Sequence, residues 1–195
     1  MALKTFGFID GENLLHRYEA MLQGGAIPKP EVIHIPGLLV WHPSITNVFV
    51  CEVNRISFYQ TVVGDDEAVT EALRKVTEVR YSYMSDARSG GSGSLYPRLF
   101  KKQQRGTKTK SVDINICVDA LRCVMNHTGD AILLLSGDGD YLPLVEEINR
   151  HGKQVWLGAF SNGLSRNLRF AADDFFNLDP IFFEPPNPPL NSDPA

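Results

Sequence analysis

Short apolar runs, each followed by a segment with helical spacing, recur along most of this chain, and that alternation constrains the fold more than any other feature. The strand candidates are Thr5 to Ile9, Val48 to Tyr59 with an interruption, Glu78 to Met84, Ala131 to Leu135 and Gln154 to Ala159, with Phe175 to Leu178 as a last short one. Runs that are apolar at consecutive positions suit strands buried on both faces. Between them lie the helical segments Glu12 to Leu22, Asp66 to Lys75, Ser111 to Met125, Tyr141 to His151 and Leu164 to Ala172. In the third, Ile114, Cys117, Val118, Leu121, Val124 and Met125 recur at the spacing of one buried face, and Ser111 is placed to cap it. Strands alternating with helices give an α/β fold of three layers, with a mostly parallel central sheet covered on both sides.

Two stretches break the pattern. Residues 24–46 are rich in Pro, Gly and isolated apolar residues and read as an insertion or long loop. Residues 85–110 begin with serine and glycine and continue basic, which reads as a mobile loop. The proline-rich end EPPNPPLNSDPA reads as extended, so the chain divides into one domain over residues 1–179 and a tail over 180–195. At 195 residues, 43% apolar, there is material for a sizeable core without a disulfide or metal staple. Cys51, Cys117 and Cys123 form no ligand-spaced pair and read as buried reduced thiols of a reducing compartment. The start MALKTFGFIDGEN lacks the basic then apolar pattern of a signal peptide, and no apolar run approaches the ~20 residues of a membrane helix. The expectation is a cytoplasmic protein.

Acidic residues stand where strands end. FIDGEN places Asp10, Gly11 and Asn13 after the first apolar run, Lys-Ser-Val-Asp places Asp113 at a helix start, and LLLSGDGDY places Ser136, Asp138 and Asp140 after a buried strand. Ligands of open parallel sheets bind outside the carboxyl ends of the strands, near a switch in strand order, so such clusters converge in space. Crowded carboxylates repel one another unless a cation or a shared proton offsets the charge. Oxygen donors in that number suit Mg²⁺ or Mn²⁺. Any one of these aspartates alone is more often a turn residue or helix cap; their joint occurrence is what points to a metal.

The net charge of −4 conceals a segregation. Residues 87–112 contain no acid yet carry Arg88, Arg98, Lys101, Lys102, Arg105, Lys108 and Lys110. Such a stretch is either a solvated loop or a grip on phosphates, with Tyr96 and Phe100 available to stack on unpaired bases. His16, His34, His42, His127 and His151 show no zinc-site spacing. No dinucleotide or P-loop glycine motif is present, and Ser136 lacks the G-x-S-x-G context of a serine hydrolase.

The order FIDGEN, KSVDINICVD, ILLLSGDGDYLPLVEEINRHGKQVWLGAF and SRNLRFAADDFFNL resembles the NYN domain, in the LabA-like branch of the PIN-like nucleases, from about Lys4 to Leu178. SGDGDY followed by the helix and GKQV is the specific part. The resemblance implies a Rossmann-like, PIN-like fold and a metal-dependent ribonuclease. It implies Asp10, Asp113 and Asp138 as the metal-binding acids, supported by Asn13 and Asp140. Asp119 and Asp173 match further acidic positions of the family, but Asp119 lies about 120° around a helix from Asp113. Lys-Ser-Val-Asp stands where the family often has Lys-Gly-Val-Asp, leaving Lys110 and Asp113 in place.

The leading expectation is a Mg²⁺ or Mn²⁺ dependent endoribonuclease acting on single-stranded RNA. Asp10, Asp113, Asp138 and Asp140 would be its catalytic acids, with Asp140 orienting or deprotonating the attacking water. Asn13, Ser136, Lys101, Lys102, Arg105, Lys108 and Lys110 would bind substrate. A homodimer is allowed for, and no membrane partner is expected. The competing readings are a non-catalytic RNA-binding or regulatory module on the same fold, and a Rossmann-like phosphatase. The phosphatase fits poorly, because the first strand ends in Asp-Gly-Glu where such enzymes have D-x-D.

Overall fold

The computed structural model describes residues 2–86, 88–102 and 111–185. Its main sheet contains β1 (Leu3–Asp10), β4 (Cys51–Val63), β7 (Tyr96–Lys102), β8 (Ala131–Leu135), β9 (Gln154–Ala159) and β10 (Asp174–Asn177). The strand order is β10-β9-β8-β1-β4-β7, and every pairing is parallel. The chain runs from β1 outward to β4 and β7, then returns to lay β8 on the other side of β1. The switch in strand order therefore falls at β1, between β4 and β8, and it fixes where a site can open.

Helices cover both faces. On one lie α1 (Gly11–Gln23) and α2 (Asp66–Glu78), whose Leu14, Tyr18, Ala72 and Val76 pack with Ile9, Ile56, Phe58 and Leu133. On the other lie α3 (Ser111–Met125), α4 (Leu142–Arg150) and α5 (Arg166–Ala171), burying Ile116, Val124, Val145 and Leu168 against Phe8, Leu134 and Leu157. Every residue of β8 is buried, as a strand covered on both faces requires. Asp65 caps α2 through Ala68 N at 2.9 Å, with Asp66 and Glu67 in the first turn and Lys75 in the last, in keeping with the helix dipole. Among the described residues no helix is long and apolar enough to cross a membrane.

Four expectations change. Residues 24–46 are not a loose insertion: β2 (Ile33–Ile35) and β3 (Leu39–Trp41) form a hairpin whose Leu39, Val40 and Trp41 are fully buried. Its turn is Pro36-Gly37, with Gly37 at φ +71° and Leu38 N donating to Ile35 O at 3.0 Å. The described part of the basic stretch is likewise strand. β5 (Arg80–Met84) leaves the main sheet and pairs antiparallel with β6 (Gly90–Ser94). The glycines are what permit this, since a Cβ on Gly91 or Gly93 would lie 2.5 Å from the hydroxyls of Tyr83 and Tyr81, whose rings cross that strand. β7 follows as the sheet edge, the position where Pro97 and flanking charges are tolerated.

The buried face of α3 is Val112, Ile116, Ala120, Cys123 and Val124, whereas Ile114, Val118 and Met125 are exposed. The helix is apolar over most of its circumference, so spacing alone does not choose the face. Finally, the ordered chain runs past residue 180. α6 (Asp179–Phe182) and the following Phe183 bury two rings beside Tyr18 and Phe160, with Phe160 and Phe182 centroids 5.0 Å apart. The tail's first phenylalanines belong to the core because a pocket of aromatic side chains receives them.

Candidate active site

β1 ends in Asp10, which also caps α1: its Oδ1 accepts from Asn13 N at 3.0 Å. Gly11 is required at this junction, because a Cβ there would meet the Phe58 ring at 2.5 Å and the Tyr59 carbonyl at 2.7 Å. Asn13 turns the other way and accepts from Gly137 N at 3.0 Å, tying α1 to the turn after β8. In that turn Ser136 Oγ donates to Asp10 Oδ2 and accepts from Asp138 N, both at 3.2 Å. Asp138 Oδ1 in turn accepts from Asp140 N at 3.0 Å, capping a single 3-10 turn that delivers Tyr141 into the interior.

Tyr141 completes the cluster. Its hydroxyl lies 3.1 Å from Asp10 Oδ2 and 3.2 Å from Asp113 Oδ1, bridging the end of β1 to the first turn of α3. One hydroxyl carries one proton and can donate to only one carboxylate at a time. With both acids ionised, the second faces the phenol oxygen with no hydrogen between them. Burial pushes the Asp10 carboxyl up to about 6; repulsion from Asp113 adds to this, and the hydrogen bonds from Asn13, Tyr141 and Ser136 oppose it. Asp113 is raised as well, first by burial and then by the charges of Asp138, Glu12 and Asp140, against the lowering hydrogen bond from Tyr141. Burial, Asp10 and Asp113 together push the Tyr141 hydroxyl far up, so it remains a donor.

Asp10, Asn13, Asp113, Ser136, Asp138 and Asp140 thus lie at one edge of the sheet. Asp10 is 3% exposed, while Asp140 is open to solvent. None of the four acids forms an ion pair among the described residues. An all-oxygen donor set with two acids sharing one proton and no basic partner is the chemistry a hard divalent cation fits. Among the described residues no group of three or more His, Cys, Asp or Glu stands together as a finished cage. Asp10 and Asp138 each have one carboxylate oxygen engaged as a cap, by Asn13 N and Asp140 N.

Other sequence candidates sit elsewhere. Asp119 accepts from Tyr59 Oη at 2.9 Å and pairs with Arg98 at 3.0 Å and Arg122 at 3.5 Å, away from the acidic edge. Asp173 lies at the opposite end of the sheet, where Oδ2 accepts from Val155 N at 2.7 Å and holds the start of β9. Lys101 pairs with Asp66 at 2.6 Å, and both Lys101 and Lys102 are in β7. Arg105, Lys108 and Lys110 lie outside the described residues. Sequence reasoning assigned no role to Tyr141 or Glu12. Tyr141 follows SGDGD directly, and Glu12 lies within FIDGEN, where it accepts from Thr61 Oγ1 and adds its charge at Asp113.

The comparisons with known proteins come to the same fold. The family model described as NYN domain matches residues 4–179. No curated protein matches. Among solved structures, the crystal structure of a protein of unknown function from Vibrio parahaemolyticus RIMD 2210633 is similar. Its TM-score is 0.57 at 19% identity, over 94% of this chain and 97% of that one. At that identity the likeness speaks for the fold alone.

Proposed function

The chain belongs to the NYN domain family, part of the PIN-like nuclease superfamily, and from that premise we propose that it is a metal-dependent ribonuclease working at the Asp10–Tyr141–Asp113 bridge. The observation that carries this is the bridge itself. It sets two carboxylates, one buried, about a single proton at the switch in strand order, with no cation paired to either among the described residues. A structural role alone gives such a pair no reason to stay unbalanced.

Asp10, Asp113 and Asp138 would hold Mg²⁺ or Mn²⁺, which supplies Lewis-acid stabilisation of charge on the scissile phosphate. The chain's own groups do the positioning. Tyr141 and Ser136 fix the Asp10 carboxylate, and Asn13 fixes the turn that carries Asp138. Asp140, exposed beside Asp138 with no hydrogen bond to its carboxylate among the described residues, is the group placed to take a proton from the attacking water. The substrate we propose is single-stranded RNA cut internally, and within the family the motif order favours the LabA-like branch. Ile114, Val118 and Met125, exposed on α3, give a second copy of the chain a surface to cover.

One observation favours the non-catalytic reading: no three ligands stand ready as a cage among the described residues. Cleavage of end-labelled single-stranded RNA in Mg²⁺, Mn²⁺ or EDTA, beside Asp138→Asn, separates the two. Metal-dependent internal cuts that vanish in the folded variant support the nuclease. RNA bound and left intact under every condition sinks it.

A further inference from the structure

A second polar feature opens on the α3 side of the sheet, between α3 and the edge strand β7. It is a groove of about 310 Å³ lined by Arg55 and Tyr59 of β4, Tyr96 and Arg98 of β7, and Asp119 and Arg122 of α3, among others. Three guanidinium groups share it with one carboxylate, a surplus of positive charge in a chain whose net charge is −4. Asp119 is shared between Arg98 and Arg122. Arg55 has no acidic partner among the described residues; its guanidinium lies over the Tyr96 ring, 4.7 Å from the centroid. Arg98 Nε is buried and finds no acceptor among the described residues, so the donor set of the groove exceeds what the protein itself answers.

The groove lies one step along the sheet and helix from the acidic edge. Tyr59 is the β4 residue paired with Asp10 across the sheet, and Asp119 follows Asp113 by about 9 Å along α3. Below them Ser57 and Arg55 descend one wall while Arg122 and Asn126 descend the other. Guanidinium groups beside a half-exposed tyrosine face match alternating phosphates and unpaired bases. Resting on the nuclease reading above, we propose that this groove holds the single-stranded RNA on one side of the scissile phosphate. Arg55, Arg98 and Arg122 contact phosphates there, and Tyr96 carries a base.

The test is anisotropy of a short fluorescein-labelled single-stranded RNA with the full chain in EDTA, over a salt series. Arg55 and Arg122 are exposed, so the double variant Arg55→Ala/Arg122→Ala keeps its fold, which thermal unfolding checks. It weakens binding tenfold or more and lowers the slope of log affinity against log salt by about 1.4, roughly 0.7 for each lost phosphate contact. Arg98→Ala acts in the same direction, and Arg74→Ala, exposed on α2 across the sheet and outside both sites, leaves the affinity unchanged. Unchanged affinity and slope in the folded double variant overturn the proposal, and so does tighter binding of the same sequence as a duplex. Cleavage by the same preparations keeps the two readings apart. A protein that binds through the arginines without cutting sinks the nuclease alone, whereas one that cuts while the arginine variants bind normally sinks the groove alone.

Discussion

α3 carries two aspartates six residues apart in opposite electrostatic situations. Asp119, mid-helix, accepts a tyrosine hydroxyl and is flanked by two guanidinium groups. Asp113, in the first turn, also meets a tyrosine hydroxyl, but its other neighbours are carboxylates. The charge of Asp119 is answered within the protein, and that of Asp113 is answered only if something is added. That contrast teaches where to look for a ligand: acids whose charge the fold answers hold structure, and acids left unanswered beside a buried carboxyl are where a cation would be sought.

The largest effect that tests the contrast is a reversal of sign between two isosteric substitutions. Asp10→Asn removes a buried charge that repels Asp113 and keeps the oxygen that caps α1, so the metal-free protein gains about 1–3 kcal/mol near neutral pH. Asp119→Asn deprives Arg98 and Arg122 of their counter-charge and costs about 1–3 kcal/mol. Urea unfolding in EDTA measures both. RNA cleavage in Mn²⁺ falls by about a hundredfold or more for Asp10→Asn, the scale expected when a metal-holding carboxylate is lost. Two substitutions that destabilise alike would end the comparison.

The acids around Asp113 were legible as sequence because FIDGEN and SGDGD place them at strand ends, and parallel topology brings strand ends together. Tyr141 was not, because its role depends on a 3-10 turn that swings the ring inward, and one turn's direction leaves no periodic signal. The main sheet was legible where strands are uniformly apolar, as in β8 and β9. Its edge strand β7 was not, since Pro97 and the basic residues around it suit a strand only at an edge. Nor was β6 of the separate hairpin, whose Gly91 and Gly93 are strand residues only by virtue of the tyrosine rings beside them. The groove was hidden for the same reason. Arg55 and Arg122 lie far from Arg98 in sequence and meet it only through the β4–β7 pairing and the lie of α3.

A smaller effect comes from titrating the unanswered cluster. The Asp10 carboxyl loses its proton near 6 in the fold against 3.8 for the ordinary group. Its stabilising contribution is therefore complete below pH 4 and is lost as pH rises through 6, a change of about 3 kcal/mol at most. Asp113, also raised, acts with the same sign. The metal-free protein should melt lower at pH 7.5 than carboxyl titration elsewhere explains. Mg²⁺ or Mn²⁺ should restore more at pH 7.5 than at pH 5, where protons compete for the same oxygens. An equal melting shift at both values would remove the cation from Asp10.

The smallest effects come from the two tyrosines, and they sharpen the comparison most because the chemical change is the same. Tyr59→Phe deletes the hydrogen bond to Asp119 and leaves the ring in place beside Phe8, at a cost of about 1 kcal/mol. Arg98 and Arg122 still answer that carboxylate, so the cost should be the same with and without metal. Tyr141→Phe deletes the one proton shared by Asp10 and Asp113. In EDTA it leaves two acids facing an apolar ring edge and costs about 1–3 kcal/mol. With Mn²⁺ in place the carboxylates have a cation to answer them, and the cost should shrink. The quantity to measure is the difference between the two variants' stability losses with and without metal. A zero difference would mean that the cation does not sit between Asp10 and Asp113, whatever the RNA assay reports.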